Sequence, residues 1–424
     1  MRSDVRAFRL EPSGGVADEA FRNGGMKMTR NVNRRQFLSQ TTGALLAGTV
    51  AAPYLSRSAF GASATPKFEV AKIATLTPKD GIYYGWPTVA LRGDELLVVA
   101  SGGRETHVCP FGRVDLIRSK DGGETWTWPQ TIYDGPIDDR DAGICVTDKG
   151  TILVTTFTSL AYEPGLNAEI AARAKGEGKW NDARFAAWKG VNDRIDADAR
   201  KKELGCWMQR STDGGITWSA RYSTPFNSPH GPCQLADGTL LYVGKELWTD
   251  EKRIGACVSK DDGQTWEVKG FMPVRDGDSV VQYHELHAVE ASDGTLVAQI
   301  RNENKNNHCE NLQTISKDGG ATWSTPRTIG GWGIPSQLLR LKDGRLLMTY
   351  GHRRAPLGVQ ARVSDDCGET WSEALVVYGD AVSGDLGYPS TVQMADGTLR
   401  TVWYEVEKGT SKASLRCATW KLVD

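Results

Sequence analysis

Five copies of one octamer constrain this chain more than any other feature of its 424 residues. They read SKDGGETW from Ser119, STDGGITW from Ser211, SKDDGQTW from Ser259, SKDGGATW from Ser316 and SDDCGETW from Ser364. The intervals between them are 92, 48, 57 and 48 residues. In each copy the Asp can accept backbone N–H bonds within a tight turn, and a Gly can take positive φ. Each ends in Trp, whose burial contributes about 1.5–3 kcal/mol or more.

A second repeat runs out of phase with the first. It comprises Arg92-Gly93-Asp94-Glu95-Leu96, Asp148-Lys149-Gly150-Thr151-Ile152, Asp-Gly-Thr-Leu from Asp237, Asp293 and Asp396, and Asp-Gly-Arg-Leu from Asp343. Each of these six turns sits between apolar or alternating runs, which is a hairpin signal. Two hairpin turns in a period near 50 give four strands per repeat. Six four-stranded antiparallel sheets set radially make an all-β, six-bladed β-propeller. Each octamer then joins the third and fourth strands of its blade, with its Trp packed on the next blade. The sixth blade, near Met394 to Leu422, has no octamer. It is expected to close the ring with the N-terminal strand around Phe68 to Leu76.

The octamers resemble the Asp-boxes of the sialidase superfamily, and the resemblance covers nearly all of residues 68 to 424. It implies the propeller more strongly than it implies an activity, because such propellers also include proteins that only bind. The chain divides accordingly. Residues 65–424 are the propeller, with a helical insertion at about 161–204 that could serve as a lid or as a solvated decoration. Residues 1–64 form a leader, in which Asn33-Arg34-Arg35-Gln36-Phe37-Leu38 before a short apolar run resembles a twin-arginine export signal. That run is too short and Gly-rich to anchor the chain in a membrane.

In a four-stranded blade the 1–2 and 3–4 turns share one face. The Asp-Gly turns and octamers therefore occupy that face, and the 2–3 loops and the segments leading into each first strand occupy the other. All six histidines, His107, His230, His284, His287, His308 and His352, fall in segments of the second face. So do Arg104, Arg140, Arg301, Arg353 and Arg354. A rim that collects such groups opposite a rim of turns is the candidate cleft.

The family uses a Tyr nucleophile activated by Glu, an Asp acid/base and three Arg that hold the substrate carboxylate. A neutral Tyr avoids the repulsion an anionic nucleophile would meet beside that carboxylate. Glu285-Leu286-His287-Ala288-Val289-Glu290, followed by the Asp293 turn and Arg301, resembles the run that carries the activating Glu and the second Arg. Gly387-Tyr388-Pro389-Ser390 resembles the nucleophile segment. Arg354, or its neighbour Arg353, stands where the third Arg is expected. Two elements depart from the pattern. Gly85-Trp86-Pro87 replaces Arg-Ile-Pro, and the following loop, Arg104 to Gly112, has no Asp. Arg104 could supply the missing guanidinium, His107 the proton, and Trp86 a stacking platform for a sugar.

Asp138-Asp139-Arg140-Asp141 adds a cluster in which like charges favour one raised pKa, and Asp141 is its candidate general acid. Arg140, His230 and His287 complete the candidate binding residues. Glu285 and His287 share a face of a strand, so His287 is expected to support Glu285 by a hydrogen bond. No cofactor or metal is expected, because zinc spacing is absent among the eight cysteines and His284-Glu285-Leu286-His287 is not a helical zinc motif. Most thiols are expected free and buried. A net charge of −1 gives no case for nucleic acid, and nothing fixes the oligomeric state. The reading that follows is an exported glycoside hydrolase, releasing a terminal acidic sugar from a glycan partner through Tyr388 and Glu285, with Asp141 or His107 as acid. Two alternatives stay open: a glycosidase or lyase using His and Asp acid–base chemistry, and a propeller that binds without turnover.

Overall fold

The computed structural model describes residues 64–78 and 81–423. The leader assigned to residues 1–64 lies outside them but for its last residue. After β1 (Lys67–Thr75), the chain forms five sheets in succession. Blade one holds β2 (Tyr83–Arg92), β3 (Glu95–Arg104), β4 (Arg113–Ser119) and β5 (Gln130–Tyr133). Blade two holds β6 (Asp138–Val146), β7 (Ile152–Ser159), β8 (Cys206–Ser211) and β9 (Tyr222–Ser223). Between β7 and β8 lie α1 (Glu163–Ala174), α2 (Asp182–Asn192) and α3 (Ala197–Lys202), which accounts for the 92-residue interval. Blade three is β10 (Cys233–Gln234), β11 (Leu240–Lys245), β12 (Ile254–Ser259) and β13 (Glu267–Phe271). Blade four is β14 (Tyr283–Glu290), β15 (Leu296–Asn302), β16 (Glu310–Ser316) and β17 (Arg327–Trp332). Blade five is β18 (Ser336–Arg340), β19 (Leu346–His352), β20 (Gly358–Ser364) and β21 (Leu375–Tyr378).

Blade six combines β22 (Leu386–Gln393), β23 (Leu399–Val406) and β24 (Ala413–Val423) with β1 as its outer strand. β1 and β24 pair antiparallel from Lys67↔Val423 to Thr75↔Arg416. The expected closure is therefore present, and it explains the missing octamer. The third and fourth strands of this blade come from opposite ends of the propeller, so no turn joins them.

All five octamers form the same turn. In the first, Ser119 Oγ donates to Asp121 at 2.8 Å, and Asp121 accepts the N–H groups of Glu124 at 3.1 Å and Thr125 at 2.9 Å. Asp213, Asp261, Asp318 and Asp366 accept the corresponding threonine N–H at 2.9–3.0 Å. The Asp-Gly turns lie on the same face: Thr147 and Thr151, flanking the blade-two turn, donate to Asp262 in the blade-three octamer at 2.8 and 2.6 Å.

The octamer tryptophans pack on the preceding blade, not the next one. Trp323 of blade four joins Leu241, Val243 and Ala256 of blade three. Trp371 of blade five packs with Val297 of blade four and donates its indole N–H to Gln313 of blade four at 2.9 Å. An octamer leaves the third strand close to its neighbour's sheet on the N-terminal side, and its Trp fills that wedge. All eight cysteines are free, and five of them are buried. Trp371 is 5% exposed, so Trp371→Ala should cost about 3–5 kcal/mol. Urea unfolding checks this, and a cost below about 1 kcal/mol would mean the indole does not clamp adjacent blades.

Candidate functional site

Three neighbouring blades use one backbone device at the top of their inner strands. Trp86, Asp141 and Tyr388 have φ of 55°, 50° and 54°. Each sits where strand pairing shifts register, between Gly85 and Thr88, Arg140 and Gly143, and Gly387 and Ser390. Left-handed backbone is costly for such side chains and clusters at functional sites. The bulge releases each side chain from strand alternation. A fourth shift, between His284 and Leu286, leaves Glu285 unpaired in β14.

These bulges bring Tyr388 of blade six to Glu285 of blade four. The phenol donates to Glu285 Oε1 in a short hydrogen bond. Arg301 Nη1 donates to Glu285 Oε2 at 2.7 Å and to the Tyr388 oxygen at 3.1 Å. Its other edge meets Glu303, with Nε at 2.8 Å and Nη2 at 2.7 Å. Four of the five guanidinium N–H groups are thus engaged. Burial pushes Glu285 toward the acid form, but the charge of Arg301 and the bonds from Tyr388 and Arg301 outweigh it, and the carboxyl ends below its ordinary range. Tyr388 moves the opposite way. Burial, then repulsion from Glu285 and Asp141, holds it well above a normal phenol, so it rests neutral and donates to Glu285.

Asp141 is 6% exposed. Burial first, and Glu285 second, push its carboxyl up to about 7. The expected cause, repulsion within the Asp138–Asp141 cluster, is not what raises it. The cluster disperses instead: Asp138 pairs with Arg104 at 2.7 Å, and Asp139 accepts the Gly135 N–H at 2.6 Å.

Arg104 is not an open anion site. Its side chain is wholly buried and spent on Asp138 and on the carbonyl of His107 at 3.1 Å. Trp86 is 1% exposed. The guanidinium carbons of Arg104 and Arg140 lie 4.8 and 4.5 Å from its ring centre and the His107 ring 5.0 Å away, so it offers no open stacking face. Arg140 itself has a buried Nε with no hydrogen-bond partner and enters no ion pair among the described residues.

His107 belongs to a network that no sequence pattern announces. Its Nδ1 lies 3.0 Å from Asp385 and 2.9 Å from the Tyr83 hydroxyl, and Tyr83 and Tyr404 both donate to Asp385 at 3.0 Å. Burial lowers the His107 pKa despite Asp385. Asp385 and Tyr83 both lie in segments that the blade pattern places on this face, but 302 residues separate them, and no local spacing links them. Of the two adjacent arginines, Arg354 stacks 3.6 Å from the centre of Trp332. Arg353 donates Nε to the Leu386 carbonyl at 3.1 Å, beside Gly387 and Tyr388, and is the one turned to the site.

His230 and His287 lie beneath the site. They line the axial channel with the inner strands of all six blades, their rings 5.6 Å apart, and His230 packs 6.4 Å from Tyr388. His287 Nδ1 accepts the Leu338 N–H at 3.1 Å and does not support Glu285, because the bulge at Glu285 breaks the expected alternation. Burial lowers His230 to about 3. The insertion is docked rather than loose. Trp188 and Leu166 bury against Cys109 and Phe111 of the blade-one loop, and Arg184 pairs with Glu105 at 3.0 Å. It therefore buttresses the loop that carries His107.

The BNR repeat-like domain family matches residues 191–401. A sialidase of Micromonospora viridifaciens is 24% identical over 412 residues, covering 88% of this chain and 58% of that protein. The chain spans 57–64% of the length of the curated relatives it matches. Among solved structures, a Dyadobacter fermentans protein of unknown function has a TM-score of 0.68 at 21% identity, covering 85% of this chain and all of that one. Trypanosoma rangeli sialidase, solved with 2,3-difluorosialic acid as a covalent intermediate, has a TM-score of 0.55 at 15% identity, covering 83% of this chain and 60% of that one.

The burial of Arg104 makes a separable prediction. Arg104→Met leaves Asp138 as an unpaired buried charge and should cost about 3–5 kcal/mol. Chemical unfolding measures it. Undiminished stability with weakened ligand binding would instead return Arg104 to the cleft.

Proposed function

We propose that this chain, which carries a BNR repeat-like domain on a six-bladed propeller and is similar to sialidases, is a glycoside hydrolase releasing a terminal acidic sugar from a glycan. One observation carries the reading: the Tyr388 phenol is hydrogen-bonded to Glu285 while Arg301 touches both. A buried phenol is a poor nucleophile unless a base takes its proton as it attacks. Glu285 is ionised and in contact with that proton.

In the first step Tyr388 Oη attacks the anomeric carbon and its proton passes to Glu285. The bond to the leaving oxygen breaks, and Asp141 protonates that oxygen. In the second step water attacks the glycosyl–tyrosine bond and gives its proton to Asp141, while Tyr388 leaves and takes its proton back from Glu285. Asp141 suits this role because its carboxyl, pushed up to about 7, still carries a proton in a large share of molecules near neutral pH. His107 suits it less, because its lowered pKa leaves it neutral there.

Arg301 has one N–H to spare, so it acts mainly as a positioning residue for Tyr388 and Glu285. We assign the substrate's anionic group to Arg353 and Arg140, whose guanidinium groups form no ion pair with a carboxylate among the described residues. The enzyme would meet its glycan outside the cytoplasm, by way of the leader with Asn33 to Leu38. No helix among the described residues is long and apolar enough to cross a membrane.

The first test is turnover on a panel of acidic and neutral glycans. Tyr388→Phe should lose the covalent route, and Glu285→Gln should fall by about two to four orders of magnitude. Full turnover in Tyr388→Phe would sink the mechanism, and binding without release from any glycan would make this a recognition propeller. The pH profile gives a second test. Catalysis needs Asp141 protonated, so kcat/KM should decline as pH rises through about 7. Asp141→Asn should lose that limb along with most activity, and a nitrophenyl glycoside, whose leaving group needs no proton, should restore much of kcat/KM, which reports the first step, while kcat stays low because water still lacks its base. Retention of the alkaline limb in Asp141→Asn would assign the acid elsewhere.

A further inference from the structure

All histidines and cysteines of the chain lie within the described residues, and one group of them has no role in the proposed chemistry. It stands in the loop between β15 and β16. Glu303, His308 and Cys309 each present a ligand atom there, and the three atoms lie within 4.8 Å of one another. His308 Nε2 is 2.7 Å from Glu303 Oε2 and 3.8 Å from Cys309 Sγ, which lies closer to the other ring nitrogen, Nδ1, at 3.1 Å. Ligands of a tetrahedral zinc ion stand about 3.3–3.6 Å apart, given metal–ligand bonds of about 2.0–2.3 Å. The observed separations bracket that range, and rotation of the exposed His308 side chain reconciles them.

We propose that Glu303, His308 and Cys309 form a binding site for a divalent transition-metal ion such as Zn²⁺. The donor set, one thiolate, one imidazole and one carboxylate, is of the type that selects such ions over Ca²⁺ or Mg²⁺. Three protein donors leave a fourth position for water or an anion. The loop presents them in a fixed order. Asn302 Nδ2 donates to the carbonyls of Asn306 and Asn307 at 3.2 and 3.0 Å, and Cys309 N–H donates to the Asn302 carbonyl at 2.9 Å. Positive φ at Asn307 and Cys309, 53° and 63°, folds the chain back so that donors five and six positions after Glu303 meet it. Spacing rules built on paired cysteines and helical histidines pass over this arrangement.

The site also touches the proposed machinery. The Glu303 carboxylate offers Oε2 to the ion and Oε1 to Arg301, which in turn holds Glu285 and Tyr388. Ion occupancy therefore reaches the nucleophile through one carboxylate and one guanidinium. Metal binding itself does not depend on the hydrolase reading, and the test does not use turnover.

The experiment is a titration of the reduced, purified protein with Co²⁺ alone, followed by absorption spectroscopy. The expected result is a near-ultraviolet thiolate-to-cobalt band that saturates at one ion per chain and is bleached by Zn²⁺. Cys309→Ser should abolish the band. His308→Ala, at an exposed side chain that the fold does not need, should weaken cobalt binding by at least the roughly 10–100-fold that loss of a supporting group alone costs. Thermal melts of both variants confirm that the propeller is intact. No band up to millimolar Co²⁺, a band that survives Cys309→Ser, or unchanged affinity in His308→Ala would each overturn the site.

Discussion

Pairing of β1 with β24 is the constraint on which the rest of the molecule depends. The first and last described strands run antiparallel along eight paired positions, and that pairing fixes blade six against blade one. Blade six carries Tyr388 and Asp385, and blade one carries Trp86, Tyr83 and His107. Without closure the edge of β24 would stand open, as unpaired sheet edges do at a cost in specificity. The Tyr83–Asp385 and His107–Asp385 bonds would also lose the frame that brings their partners together.

Closure also sets up a division of labour between the two faces. On one, each octamer satisfies its own backbone and clamps the blade before it, so that face is bound by short local contacts repeated five times. On the other, side chains from blades one, two, four, five and six converge on the top of the axial channel. The charges there are arranged in opposition. Arg301 lowers Glu285, while burial and Glu285 raise Asp141. The acidities of two neighbouring carboxyl groups are thereby driven apart, the pattern on which the proposed acid–base roles rest.

Much of this was legible in the sequence, and what was legible follows from locality. The octamer, the Asp-Gly turns and the period near 50 residues are local signals, so the propeller and its closure could be read directly. That Tyr388, Glu285 and Arg301 meet was anticipated through their resemblance to a known pattern. The misread residues were those whose role depends on distant partners. Arg104 reads as a free guanidinium until Asp138 is placed against it. Trp86 reads as a platform until two arginines cover it. Asp385 drew no attention because its partners Tyr83 and His107 lie about 300 positions away along the chain. The His287 expectation failed for another reason. Alternation along a strand assumes an unbroken register, and the bulge at Glu285 breaks it.

The bulges themselves carry a longer consequence. Trp86, Asp141 and Tyr388 are held in backbone that glycine would occupy without strain. Selection for thermal endurance alone would replace them, since relief at such positions is among the easiest ways to stabilise a fold. Three such residues at the same place in adjacent blades hold strain that the architecture alone does not require. A descendant that drifted into a purely architectural role should betray it first at these three positions, with small residues filling the rim while the octamers stay unchanged.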